Sequence, residues 1–185
     1  MFYYCPKLTS FPSDLPSLTN GSYMFVACSN LTTFNSDLSS LTDGSYMFTL
    51  CSRLTTFSSD LPSLTNGVGM FAFCYYNLIS FSSDLPSLTN GAAMFSNCSA
   101  LTSFSSDLPS LTNGEEMFYK CELDAPSVER ILTSIPTYTS DSHPLTLGIQ
   151  SAAASKFAEL TGMTPTTSEK SVSYKGWTIQ VKINS

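Results

Sequence analysis

The chain has 185 residues and a formal net charge of −6; only 12% of its residues are charged against 42% hydrophobic, and 33 Ser and 21 Thr fill the difference. Soluble domains are typically about 25% charged, so hydroxyls rather than ions carry this one's hydration. No apolar run approaches the ~18–20 residues that span a bilayer, Met1 to Lys7 lacks the charged start and apolar run of a secretion signal, and eight Lys/Arg without a basic run give no footing for nucleic-acid binding.

In chain order the first feature is a repeat. Met-Phe pairs stand at Met1, Met24, Met47, Met70, Met94 and Met117, with spacings of 23, 23, 23, 24 and 23. Each unit reads Met-Phe-x-x-Cys-x-x-Leu-Thr-Ser/Thr-Phe-x-Ser-Asp-Leu-Pro-Ser-Leu-Thr-Asn-Gly-x-x, and the one extra residue falls among Tyr75, Tyr76 and Asn77. A unit of this size cannot fold alone. Its seven or so apolar side chains are worth roughly 1.5–3 kcal/mol each when buried, against roughly 1–2 kcal/mol of backbone entropy per residue. Units must stack and share a core.

Within unit two, Leu31–Ser36 reads as a strand that pairs in parallel with its copies. Asp37 then opens a turn or short helix as its cap, and proline follows one place on in the other units (Pro16, Pro62, Pro86, Pro109). Asn-Gly (Asp43-Gly44 in unit two) ends the turn, the glycine supplying a left-handed residue. Met-Phe re-enters the core.

Phe-x-x-Cys-x-x-Leu-Thr-x-Phe every 23 residues resembles the BspA-type leucine-rich repeats of bacterial surface proteins and the related Met-Phe-x-x-Cys repeats of bacterial lipoproteins and phage or prophage proteins. The resemblance covers residues 1–121. It implies an α/β solenoid: a right-handed leucine-rich-repeat coil with one parallel sheet and short helices or turns on the other side. It also implies adhesion or protein binding rather than catalysis, an extracellular, cell-surface or virion-associated setting, and no cofactor. The sequence departs from the commoner pattern in placing Phe where an aliphatic strand residue is usual.

After Cys121 the repeat stops and charge rises. Asp124 caps a helix with Pro126 in its first turn and Val128, Ile131, Leu132 and Ile135 on one face; Pro136 ends it. Leu145–Ile149 reads as a strand, Ala152–Leu160 as a second helix, and Trp177–Ile183 alternates as a strand. Residues 122–185 are expected to be a helix–strand–helix–strand cap adding two strands to the repeat sheet. Unit one has no such cover, which points to a piece of a longer protein or to a partner at that end.

Chemistry-bearing residues are few. Cys5, Cys28, Cys51, Cys74, Cys98 and Cys121 recur once per unit; an in-register ladder aims them all into the core as free thiols, without a Cys-x-x-Cys metal or redox motif. Asp14, Asp37, Asp60, Asp84 and Asp107 form a second ladder, held by capping bonds and solvent or, less simply, by calcium. His143 sits in a turn-like stretch and reads as a surface loop residue. No nucleophile motif, phosphate loop or paired carboxylate points to an enzyme. Comparing units marks one surface, since residues flanking Met-Phe and following Cys vary while the rest is copied. Tyr3, Tyr4, Tyr23, Tyr46, Arg53, Phe73, Tyr75, Tyr76 and Tyr119 lie there. Exposed positions drift when packing does not hold them, but Tyr and Arg are also typical interface residues. The expected partner is a protein or glycan, with possible contact through the uncovered N-terminal end.

Overall fold

The computed structural model describes residues 2–139 and 142–184. Met1 lies outside them, as do Ser140 and Asp141 ahead of His143.

The Leu-Thr-x-Phe segments form strands of two residues each: β1 (Ser10–Phe11), β2 (Thr33–Phe34), β3 (Thr56–Phe57), β4 (Ser80–Phe81) and β5 (Ser103–Phe104). They pair in parallel and in register, Phe on Phe. The expected single sheet is instead two, β1-β2-β3 and β4-β5. The break falls where the extra residue among Tyr75–Asn77 lengthens the approach to β4. Side chains still bridge it, Phe57 stacking on Phe81 at 5.9 Å.

Of the turn or short helix expected after the strand, a single turn forms. Leu64 N–H donates to the Leu61 carbonyl at 3.2 Å around Pro62, proline's fixed φ suiting the second position of such a turn. In unit two Asp37 opens the equivalent turn, Leu41 N–H on the Leu38 carbonyl at 2.9 Å, and its carboxylate accepts the Ser39 N–H at 2.8 Å. The Asn-Gly glycines are not left-handed: among glycines only Gly69, Gly162 and Gly176 have positive φ. Glycine is needed there for room, because a Cβ on Gly21 would come within 2.8 Å of the Met47 sulfur one coil on.

Residues around Met-Phe form a second wall of consecutive turns. Its backbone alternates, with left-handed residues just before Met (Tyr23, Tyr46, Gly69, Ala93, Glu116) and three after it (Tyr4, Ala27, Leu50, Phe73, Asn97, Lys120). This alternation turns every second N–H toward the following coil. Gly21, Tyr23, Phe25 and Ala27 donate to the carbonyls of Asp43, Ser45, Met47 and Thr49 at 2.8–3.0 Å, and the pattern repeats at each later junction between coils.

The core between the walls holds two phenylalanine columns. Phe25, Phe48, Phe71, Phe95 and Phe118 stack at 5.4–5.5 Å. Phe34, Phe57, Phe81 and Phe104 run beside them and meet them edge to face, the geometry the ring quadrupole favours.

The same core continues into the C-terminal segment. There β6 (Gly114–Leu123), α1 (Ala125–Ser134), β7 (His143–Ile149), α2 (Ala154–Thr161), β8 (Lys170–Tyr174) and β9 (Trp177–Ile183) follow. The sheet order is β6-β7-β9-β8. These strands extend the Met-Phe wall, not the short-strand sheet as expected. Gly114, Phe118 and Leu123 of β6 pair with Leu145, Leu147 and Ile149 of β7, so a contracted turn wall is matched to an extended strand in half as many residues. The short-strand wall meets α1 instead: Ser127 Oγ accepts the Phe104 N–H at 2.8 Å and Ser134 Oγ the Leu108 N–H at 3.1 Å. Asp124 caps α1 as expected, accepting the Ser127 N–H at 2.9 Å. A 3-10 turn at Ser151–Ala153 leads into α2, which ends at left-handed Gly162. β8 was not expected; it joins β9 antiparallel through Lys175 and Gly176, both at positive φ, the pairing a two-residue hairpin turn requires. His143 is no loop residue. It starts β7, stacks on Tyr138 at 3.6 Å and holds the Thr112 carbonyl at 2.9 Å through Nδ1.

Candidate recognition face

Four of the nine singled-out residues, Tyr4, Tyr23, Tyr46 and Phe73, occupy the left-handed positions of the Met-Phe wall, as does Leu50. A left-handed conformation costs a non-glycine residue roughly 1–2 kcal/mol. The coil-to-coil hydrogen bonds of the same residues offset that cost, and the side chains are left outside.

Two clusters result. Tyr23 and Tyr46 stack at 5.0 Å and 16°. Tyr46 in turn lies over Gly69, where a Cβ would stand 2.6 Å from the ring. The second cluster belongs to coil four: Phe73 and Tyr75 are 5.6 Å apart, as are Tyr75 and Tyr76. Tyr76 is 73% exposed. Leu50, 42% exposed, holds the register position one coil before Phe73, its N–H on the Ala72 carbonyl at 3.0 Å. Ile79, 59% exposed, follows three residues after Tyr76. Neither Leu50 nor Ile79 was singled out. Ile79 had a signal, since it alone replaces the Thr of Leu-Thr-x-Phe.

The remaining residues stand elsewhere. Tyr3 and Tyr4 are exposed at the N-terminal end. Arg53 is exposed at the post-Cys position one coil before Tyr76. Tyr119 is half-buried, with the Lys120 ammonium 5.2 Å from its ring centre.

The cysteines lie on the inner side. Cys5 is half-buried, and the other five are buried free thiols. Each buried thiol donates to the carbonyl of the preceding coil's first Phe, from Cys28 on Phe2 at 3.0 Å to Cys121 on Phe95 at 3.2 Å. Burial pushes Cys51 up to about 12, the neighbouring Cys28 adding to it, and burial likewise raises Cys28 and Cys121. The Asp ladder is exposed and variously bonded: Asp14 accepts the Asp37 N–H at 3.0 Å, and Asp107 pairs with Arg130 at 2.9 Å. Among the described residues no group of three or more His, Cys, Asp or Glu could hold a metal ion, and no helix is long and apolar enough to cross a membrane.

Repetition, parallel two-residue strands and the Met-Phe wall identify a repeat family. The family model for the BspA type leucine rich repeat region matches in six copies, over residues 1–92 and 21–145. The chain belongs to the BspA-type leucine-rich repeat family. BspA-type repeats occur in surface proteins and are generally protein-interaction or adhesion modules, without catalytic activity. The match runs beyond Cys121 to residue 145, taking in α1 and the start of β7. Searches of curated proteins and of solved structures returned no match.

Proposed function

We propose that this chain is a non-catalytic recognition or adhesion module that binds a protein or glycan on a cell surface, as part of a bacterial surface protein or a phage tail or receptor-binding protein. In this reading residues 1–121 form a right-handed repeat coil and residues 122–185 its C-terminal cap. The setting is extracellular, cell-surface or virion-associated.

One observation carries the reading. Coil four departs from its copies at Tyr75, Tyr76 and Ile79, each time toward a large apolar side chain, beside Phe73; Tyr76 and Ile79 are among the most exposed of their kind among the described residues. Exposed apolar clusters on an otherwise hydroxyl-rich surface mark binding sites, and aromatic anchors carry most of the energy of such sites. The experiment is binding to bacterial cells and to a glycan array by the intact chain and by Tyr75→Ala/Tyr76→Ala. Saturable binding that the double variant loses, with its melting temperature unchanged, supports the reading. Absence of saturable binding on both, or equal binding by both proteins, overturns it.

A second reading is a structural spacer or assembly module within a longer chain. Near-verbatim copying of one unit into an in-register stack supports it.

A further inference from the structure

We infer that the junction between coils three and four is a binding site for a carboxylate-bearing glycan, with Arg53 as the partner of the carboxylate. The inference rests on the recognition reading above and names its ligand. The outer residues of these two coils differ together from the rest. Leu50 and Arg53 of coil three and Phe73, Tyr75, Tyr76 and Ile79 of coil four stand where coil two carries Ala27, Asn30 and Thr32 and coil five Asn97, Ala100 and Thr102. The Asn77 amide donates to the Ser52 carbonyl at 2.9 Å, so Arg53, next after Ser52, and Tyr76, next before Asn77, flank the same junction. The strand wall is also open here. At other junctions Thr55 and Ser58 N–H donate to the Thr32 and Phe34 carbonyls, and Ser103 and Ser105 N–H to those of Ile79 and Phe81. Among the described residues nothing donates to the Thr55 or Phe57 carbonyl. Ile79 contributes to this gap. The hydroxyls of Thr32, Thr55 and Thr102 at its position each donate to a carbonyl of the coil before, and isoleucine has none to give. An exposed isoleucine that forgoes a ladder hydrogen bond does nothing for the stack.

The size and chemistry of this patch select the ligand. Two coils at ~4.8 Å each span about 10 Å, the width of one or two sugar rings, whereas a protein interface takes about 20–30 residues a side. A pyranose presents an apolar C–H face to Tyr75 and Tyr76, whose rings combine an apolar body with a polar tip, and hydroxyl donors to the open carbonyls of the seam. Arg53 supplies the charge. It is exposed and has no ion pair or hydrogen bond among the described residues, whereas Asn30 and Asn77 at its position are tied to the coil before. The other cations of residues 1–121 stand apart, Lys7 in coil one and Lys120 over the Tyr119 ring. Between Asp43 and Asp84 the only acid is Asp60. A guanidinium fork takes a carboxylate through two parallel hydrogen bonds. One such cation in a chain of net charge −6 suits a single carboxylate, whereas sulfated polyanions take basic clusters.

The test probes an array of neutral, sulfated and carboxylated oligosaccharides, the last both sialylated and uronate-bearing, with the whole chain. The tightest carboxylated glycan and its methyl ester are then titrated. Binding is expected to favour the carboxylated glycans, the free acid binding about 10-fold more tightly than its ester. Arg53→Gln should abolish that difference, weakening the acid about 10-fold and leaving the ester unchanged. Tyr76→Ala should weaken both by about 2- to 10-fold. Both positions are exposed, so melting temperatures should not move. Neutral or sulfated glycans bound as tightly as carboxylated ones overturn the proposal, and so does Arg53→Gln binding the acid like the intact chain. A blank array with saturable binding to periodate-treated cells, lost in Tyr75→Ala/Tyr76→Ala, makes the ligand a protein; the carboxylate assignment then fails and the recognition reading stands. No saturable binding to array or cells overturns both.

Discussion

The Met70 sulfur lies against Gly44 of the preceding coil, 2.9 Å from where a Cβ on that glycine would stand. The same arrangement joins Gly21 to Met47, Gly67 to Met94 and Gly91 to Met117. Methionine's flexible thioether gives some way, but the Leu64 Cδ1 sits 3.3 Å from the same point and is packed in the core. Gly44→Ala should therefore destabilise the chain by about 1–3 kcal/mol, the range for overpacking. Urea unfolding followed by circular dichroism checks it; an unchanged midpoint would mean that the coils can part at no cost.

The phenylalanine columns predict a gradient along the stack. Phe71 is fully buried, stacked on Phe48 and Phe95 and edge-on to Phe57 and Phe81. Truncating it to Ala should cost about 3–5 kcal/mol. Phe2 has one stacked neighbour, Phe25, and is only half-buried, so Phe2→Ala should cost less than half as much. Equal losses in parallel unfolding curves would contradict a stack whose stability is shared between neighbours.

Alkaline pH should weaken the fold through the buried thiols. The folded state holds the Cys51 proton more tightly than the unfolded chain, about 12 against 9.0. Its contribution is thus complete below pH 9 and is lost as pH rises toward 12, at about 1.4 kcal/mol per pH unit. Comparing the intact chain with Cys51→Ala between pH 8 and 11 isolates it from tyrosine and lysine titration. The variant should show the shallower decline.

Acid acts at Asp43, which stands where the other units carry Asn20, Asn66, Asn90 and Asn113. Burial works to raise its carboxyl, but hydrogen bonds from the Ser45 hydroxyl and N–H, with Ser22 and Asn66, outweigh burial and hold it below the ordinary value. A lowered folded value means stability that is present above the unfolded value and lost as pH falls through the folded one. Asp43→Asn, which leaves an amide oxygen for Ser45, should remove that pH dependence. The effect should be at most about 1 kcal/mol, read as a smaller fall in melting temperature between pH 6 and pH 3.

The stack was legible because five copies of one unit leave no other way to bury seven apolar positions per unit. The helix at Asp124 was legible because cap, proline and periodicity coincide. The turn wall was not: propensity assigns left-handed backbone to Gly and Asn, whereas here inter-coil hydrogen bonds impose it on Tyr23, Leu50 and Phe73. Asn-Gly carried the reverse error, since its glycine answers to the neighbouring methionine rather than to its own φ. β8 was missed because Lys175-Gly176 is a weaker hairpin signal than Asn-Gly. Variation between units marked the position of Leu50 as well as both aromatic clusters, but Leu50 is neither aromatic nor cationic and was passed over; its exposure follows from the wall's alternation.

Near-identical coils create a hazard that sequence identity itself sets: a unit could dock on the wrong neighbour and slip the chain by a whole repeat. Tyr46 works against this. Its ring, as placed, leaves no room for a Cβ on Gly69, 2.6 Å away, whereas coils four and five present Ala93 and Glu116 at that position. The fit of Tyr46 over Gly69 thus sets the junction between coils two and three apart from the other junctions.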